Sequence, residues 1–264
     1  IETHGLRWTF SSMGVILGTI LVLFCFLIRG RPEEKGMAAF GAEDLPRPAQ
    51  PARAVAKGAS GLRAIASQSS VWHLTAIHHL GCVGHSVILA HVVSMATFQG
   101  VPGVTAAGIL SVISGTSIFS RFVFSMLTER LGGRRLLTIA LICQSIPIFL
   151  LLWSRDAWAF YFFAVVFGLG YGGEMVGFPL INRQLYGADA PLSSIYSFEM
   201  VGASLGMALG GFLGGVLFDL SGAYYWSIIL AAAVGFLALP SALALPRKRA
   251  PALSPAAAPS GGAG

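Results

Sequence analysis

Ser117-Ile-Phe-Ser-Arg121-Phe-Val-Phe-Ser125-Met-Leu-Thr-Glu129-Arg130-Leu-Gly132-Gly133-Arg134-Arg135 sets one arginine inside an apolar run and a charged turn behind it. From Val104 to Leu127 the only charge is Arg121. The run has the length of a membrane helix, and at about 1.5 Å per residue it carries Arg121 roughly 10 Å below the bilayer surface. A charge at that depth costs several kcal/mol unless it faces protein or water, so it marks a functional position. The competing reading is an arginine that snorkels to the interface from a helix end close by.

The rest of the chain has the same character. Of 264 residues, 55% are hydrophobic and only 11% charged, against about 25% charged in soluble domains. The mean hydropathy is +0.74. A hydrocarbon core of about 30 Å needs some 20 apolar residues per crossing. Such stretches lie at Trp8–Ile28, Val71–Ala96, Val104–Leu127, Leu136–Trp153, Trp158–Ile181, Ile195–Phe218 and Ala223–Leu245. The expected fold is therefore an all-α membrane protein with seven transmembrane helices. Cys25, Cys82 and Cys143 fall inside spans and read as small apolar packing residues, with no metal cluster and no cofactor implied.

Basic residues set the orientation. With the chain crossing at each span, one side collects fourteen of the 17 Lys and Arg, and the other only Arg7 and Arg155. The fourteen include those of residues 29–70, of the turn at Arg130–Arg135 and of the C-terminus. Those parts are expected in the cytoplasm of a multi-pass protein of the cell (inner) membrane. The net charge of +6 then follows from topology, and no nucleic-acid partner is needed. The lipid bilayer is the partner the composition demands.

Four segments follow. Residues 1–28 hold the first helix. Residues 29–70, rich in Pro, Ala, Gly and charge, read as a cytoplasmic linker with a short surface helix near Leu62–Ile65. Residues 71–246 make a six-helix bundle, and 247–264 a disordered tail. The chain opens at Ile1 with a short polar stretch and no signal peptide, so it is expected to continue a longer protein. One helix, a basic loop and six helices match the second half of a two-bundle transporter.

The polar residues are unevenly shared. The first, fourth and seventh spans hold neither charge nor histidine, and are expected at the lipid-facing periphery. The others hold His73, His78, His79, His85, His91, Arg121, Glu174 and Glu199. Glu199, one turn into its apolar run, is expected at the interface. Gly202, Gly206, Gly210 and Gly214 recur every fourth residue, a spacing for close helix packing. Gly168, Gly170, Gly172, Gly173 and Gly177, followed by Pro179, suggest a bending element, and Pro147 a kink.

The series Arg121-x-x-x-Ser125-x-Leu127-x-Glu129-Arg130-x-Gly132-x-Arg134-Arg135 resembles the loop signature of the major facilitator superfamily, roughly G-x-L-x-D-R-x-G-R-R. Ser125 and Glu129 replace the usual glycine and aspartate. His91-Val-Val-Ser-Met-Ala-Thr-Phe-Gln-Gly100, Gly168-Leu-Gly-Tyr-Gly-Gly173 and Gly214-Gly-Val-Leu-Phe-Asp219-Leu-Ser-Gly222-Ala-Tyr224 resemble its bacterial monocarboxylate-transporter-like members. By this resemblance the spans are helices six to twelve, and an N-terminal bundle of the missing helices is a partner. It implies a secondary active transporter working by alternating access on a small monocarboxylate or similar organic anion, with protons a candidate coupling ion. It is no enzyme. Glu129, Arg130, Gly132, Arg134 and Arg135 become a cytoplasmic gate motif.

The resemblance puts Arg121 where the substrate carboxylate pairs, a job that suits a planar guanidinium fork. Ser117, one turn earlier, stands where relatives often carry an aspartate, and joins the substrate-binding candidates with His85 and His91. Glu174, at a depth similar to Arg121, is a candidate proton carrier, or else a static partner of that arginine. His78 falls within about 20° of His85 at 100° per residue and is the second proton-coupling candidate. His73 and His79 read as structural.

Other classes fit poorly. His73-x-x-x-x-His78-His79 resembles a diiron histidine box, but beyond His91 there is no further histidine. A haem bundle lacks histidines on facing helices, and a retinal protein lacks a lysine in a span. A facilitator for a drug or sugar, and a non-transporting receptor or scaffold, stay open on sequence grounds.

Overall fold

The computed structural model describes residues 5–27, 59–187 and 190–246. The expected linker over 29–58 and the expected tail over 247–264 lie outside the described residues, as does the side chain of Glu129. The chain forms two units, Ile1–Pro51 and Ala52–Gly264. The first contributes α1 (Gly5–Leu27), 23 residues long. At about 1.5 Å per residue α1 reaches across a bilayer, although its apolar stretch, Ser11–Phe24, is shorter than the six spans of the second unit.

The second unit begins with α2 (Ala59–Ala66), followed by α3 (Ser69–Phe98), α4 (Gly103–Leu131), α5 (Gly133–Ile148), α6 (Ala157–Tyr186), α7 (Leu192–Ser221) and α8 (Tyr225–Ala244). With the 3-10 turn Phe149–Leu152 extending α5, six helices are long and apolar enough to cross a membrane. No strand occurs among the described residues. The fold is all-helical, as the composition requires. The short helix expected near Leu62–Ile65 is α2, but it is not purely a surface element: Ile65 is buried among Leu185, Tyr186 and Leu245.

The loops between α3 and α8 are short, so successive helices run antiparallel. α3 packs along α7 and α8, and α6 along α4 and α5. Exchanging α3 with α6, α4 with α7 and α5 with α8 leaves this pattern unchanged. Each triplet crosses an odd number of times, so the second is inverted relative to the first. Inverted repeats of this kind build many transporter bundles.

Glycine and small polar groups decide how closely α3 and α7 meet. A Cβ on Gly206 or Gly210 would collide with the backbone carbonyl of His79 or Val83. Across this seam His79 Nδ1 donates to the Gly202 carbonyl (2.9 Å), Ser86 Oγ to Met207 (2.7 Å) and His91 Nε2 to Gly211 (2.9 Å). The four-residue glycine spacing is thus used for packing.

The glycines of α6, expected as a bending element, act likewise. α6 is one unbroken helix of 30 residues. Gly168 and Gly172 lie against the backbone of α4, and Gly170 against that of α5, so neighbouring helices support a segment that would be weak alone. Pro147 lies in the last turn of α5, which stops at Ile148 and continues as the 3-10 turn.

Burial within the second unit differs from helix to helix. α5 and α8 carry no charge in their spans, yet it is α4 and α7 that bury the smallest share of their apolar length. α5 and α8 pack on each other and on α6 and α3, which covers a large part of their surface.

Candidate functional site

Two apolar clusters fill the ends of the bundle. One includes Val87, Ile109, Phe163, Phe167 and Ala231, and the other Leu74, Ile77, Leu141, Phe178 and Ala238. Between them α3, α5 and α6 bring several polar and small residues together. His78, His85, Gln144, Ser145 and Glu174 are all buried in this layer. Polar side chains so placed must find partners or carry function.

Glu174 is the centre of the layer and is wholly buried. Gln144 Nε2 on α5 donates to its Oε2 at 2.7 Å, and His85 Nδ1 on α3 stands 3.4 Å from the same oxygen. The carboxyl fits because α3 has a glycine opposite: a Cβ on Gly81 would overlap Glu174 Oε1. That second oxygen has no hydrogen-bond partner, nor has Gln144 Oε1. The His85 ring meets Tyr171 edge-on at 5.0 Å, and His78 lies flat on Phe178 at 3.8 Å between ring centroids.

Arg121 takes a different position. It is exposed on α4, and the ion-pair contact of Glu174 is with His85, so the static pair between Glu174 and Arg121 is not formed. Tyr171 lies within electrostatic reach of both charges. On α4, Ser111, Ser114, Ile118 and Arg121 are exposed and Ser125 half-buried. At 100° per residue these five fall within an arc of about 80°. Phe119, Phe122 and Met126, also exposed, lie on the adjoining arc. One face of this membrane-length helix is therefore polar and the next one apolar.

The remaining candidates are spread apart. Ser117 is buried where Gly172 of α6 approaches the α4 backbone, and its Oγ has no partner. His91 belongs to the α3–α7 seam through its bond to Gly211. At the charged turn, Gly132 has φ +80°, a conformation that favours glycine. Gly133 N donates to Gln184 Oε1 at 2.6 Å. Arg134 binds the last carbonyls of α8, those of Leu243 and Leu245. Arg130 and Arg135 are exposed.

Glu199, expected at the interface, is wholly buried in the bundle, with Asn182 Nδ2 of α6 donating to its Oε2 at 3.1 Å. The helix starts at Leu192, before the apolar run at Ile195, which sets Glu199 about two turns deep rather than one. Tyr171, Gln144 and Asn182 escaped notice because an uncharged polar residue in a span carries no signal until its partner is known.

A bundle of membrane-length helices in inverted triplets, closed around a buried carboxylate, is a multi-pass membrane protein of transporter type. The sequence profile described as Major Facilitator Superfamily matches residues 1–190 and, in a second match, 117–264. The chain belongs to that superfamily, a family of membrane transporters. Among curated proteins none matches the chain.

Proposed function

We propose that this chain moves a small monocarboxylate or similar organic anion by alternating access, with protons as the coupling ion. The observation that carries this reading is the polar arc of α4, where Arg121 stands exposed with Ser111 and Ser114, beside half-buried Ser125. A charged arc at this depth is stable against water and costly against lipid. It therefore lines an aqueous cavity, with a second helical bundle on the far side covering α4 and α7. Arg121 offers two parallel hydrogen bonds to a carboxylate and keeps its charge at every relevant pH.

Glu174 takes and returns the proton behind this surface. Its Oε2 is held by Gln144 and faced by His85, while Oε1 lacks a partner. Tyr171 connects the two sites. Ser117, His85 and His91 act from within the bundle, positioning α4, the carboxylate and α7. At the turn, Arg130 and Arg135 are the exposed gate residues, whereas Arg134 secures α8. The excess of basic residues supports a cytoplasmic place for this turn, for 29–70 and for the C-terminus.

Uptake of radiolabelled lactate into proteoliposomes holding the intact protein tests the anchor. Arg121→Lys keeps the charge and loses the planar fork, and we expect uptake to fall about tenfold or more, the equivalent of about 1.4 kcal/mol. Full uptake by Arg121→Lys would refute two-point carboxylate binding and favour another solute, a sugar or a drug.

A further inference from the structure

A second carboxylate lies buried in the same bundle, and the transport reading above does not use it. Glu199 and Asn182 are each at least 99% buried, and both have an oxygen without a partner: Oε1 of Glu199 and Oδ1 of Asn182. An orphaned carboxylate oxygen sealed from solvent is accounted for by a bound water or by a proton on the oxygen itself. Either state makes the pair a place where a proton can stop.

The pair is aligned with Glu174. Glu174, Phe178 and Asn182 follow one another by single turns on α6, so they form one stripe about 12 Å long. His78 of α3 lies across the middle of that stripe, stacked on Phe178. The ring of Tyr196, three residues before Glu199 on α7, is 6.1 Å from the His78 ring. His78 is 2% exposed, and its Nδ1 has no partner. Every member of this line is inside the bundle, away from the exposed arc that carries Arg121.

We propose that Glu199 is a second proton-binding carboxylate, set in series with Glu174 by the Glu174–Phe178–Asn182 stripe, with His78 as carrier between them. This rests on the reading of Glu174 as the coupling carboxyl. Tyr196, within electrostatic reach of Glu199 and with its ring 6.1 Å from His78, relays the first step: its hydroxyl gives its proton to the neutral imidazole as it takes the proton of Glu199, leaving a carboxylate and an imidazolium. The imidazolium then gives a proton to ionised Glu174 and returns to neutral. Each transfer moves one proton and conserves total charge. The groups that face Glu174 are His78, Cys82 and His85 of α3, Gln144 of α5 and Tyr171 of α6, and Tyr171 is also within electrostatic reach of Arg121 of α4. Around Glu199 stand Asn182 and Tyr186 of α6 and Tyr196 of α7.

Infrared difference spectra of the intact, detergent-solubilised protein, recorded while pH is stepped, test this without any substrate. We expect two carboxylic-acid carbonyl bands that change with pH. Glu174→Gln removes one and Glu199→Gln the other, while Glu199→Asp retains the second at a shifted frequency. If neither Glu199 variant alters a band, the proposal is overturned. Glu174→Gln is also expected to shift the pH at which the Glu199 band changes. His78→Phe, which keeps a flat ring on Phe178, should abolish that shift, and a shift that survives would overturn the series arrangement. Failure is separable from failure of the transport reading. If Glu174→Gln stops pH-driven lactate uptake while no Glu199 band exists, only the second carboxylate is lost.

Discussion

Glu174 is buried with one oxygen held and one orphaned, and its neighbourhood is built to tolerate that. Gly81 supplies the space and Gln144 the donor, while His85 provides a group that can hold or release a proton. Gly81→Ala places a methyl group on Oε1, and such overpacking costs about 1–3 kcal/mol. We expect the melting temperature of the detergent-solubilised protein to fall accordingly, and to recover in a Gly81→Ala, Glu174→Ala double variant. Costs that simply add would show that the two residues do not share this space. A carboxylate in an apolar span stands out in the sequence, so Glu174 was legible. Its partners were not. Gln144 lies 30 residues away on another helix, and only the relative depth and rotation of α5 and α6 bring them together. The position of Glu199 depended on where α7 begins, which hydropathy misplaced because Leu192–Ser194 precede the apolar run.

Helices meet here through surfaces of unequal kind. The α3–α7 seam joins backbones so closely that side chains cannot relieve an added atom. Gly206→Ala would press its methyl against the His79 carbonyl, and we expect a loss of about 1–3 kcal/mol in thermal unfolding. Gly115 of α4 provides the contrast: a Cβ there has open space. Gly115→Ala should be neutral or stabilising by up to about 1 kcal/mol, the gap in helix propensity between the two residues. Equal effects at both sites would mean that the seam does not limit packing. The sequence disclosed the ladder on α7 because its spacing is regular. On α6 it disclosed a density of glycine but not what those glycines face. What the α6 glycines permit is close contact with α4 and α5, a tertiary effect that composition does not carry.

Over the whole molecule, two apolar clusters enclose a polar layer, and the least buried helices of the second unit are α4 and α7. The six-helix unit is thus stable as a scaffold and unfinished as a surface, since the arc bearing Arg121 needs water or protein against it. The alternating access proposed above would provide both in turn, with a cavity that opens and closes along that face. The measurement that bears most directly on this account is lactate accumulation in proteoliposomes under an inward proton gradient. The account predicts accumulation above equilibrium that a protonophore abolishes. It also predicts that Glu174→Gln loses accumulation while retaining lactate–lactate exchange. Lactate entry no faster than into protein-free liposomes, or accumulation unchanged in Glu174→Gln, would contradict it.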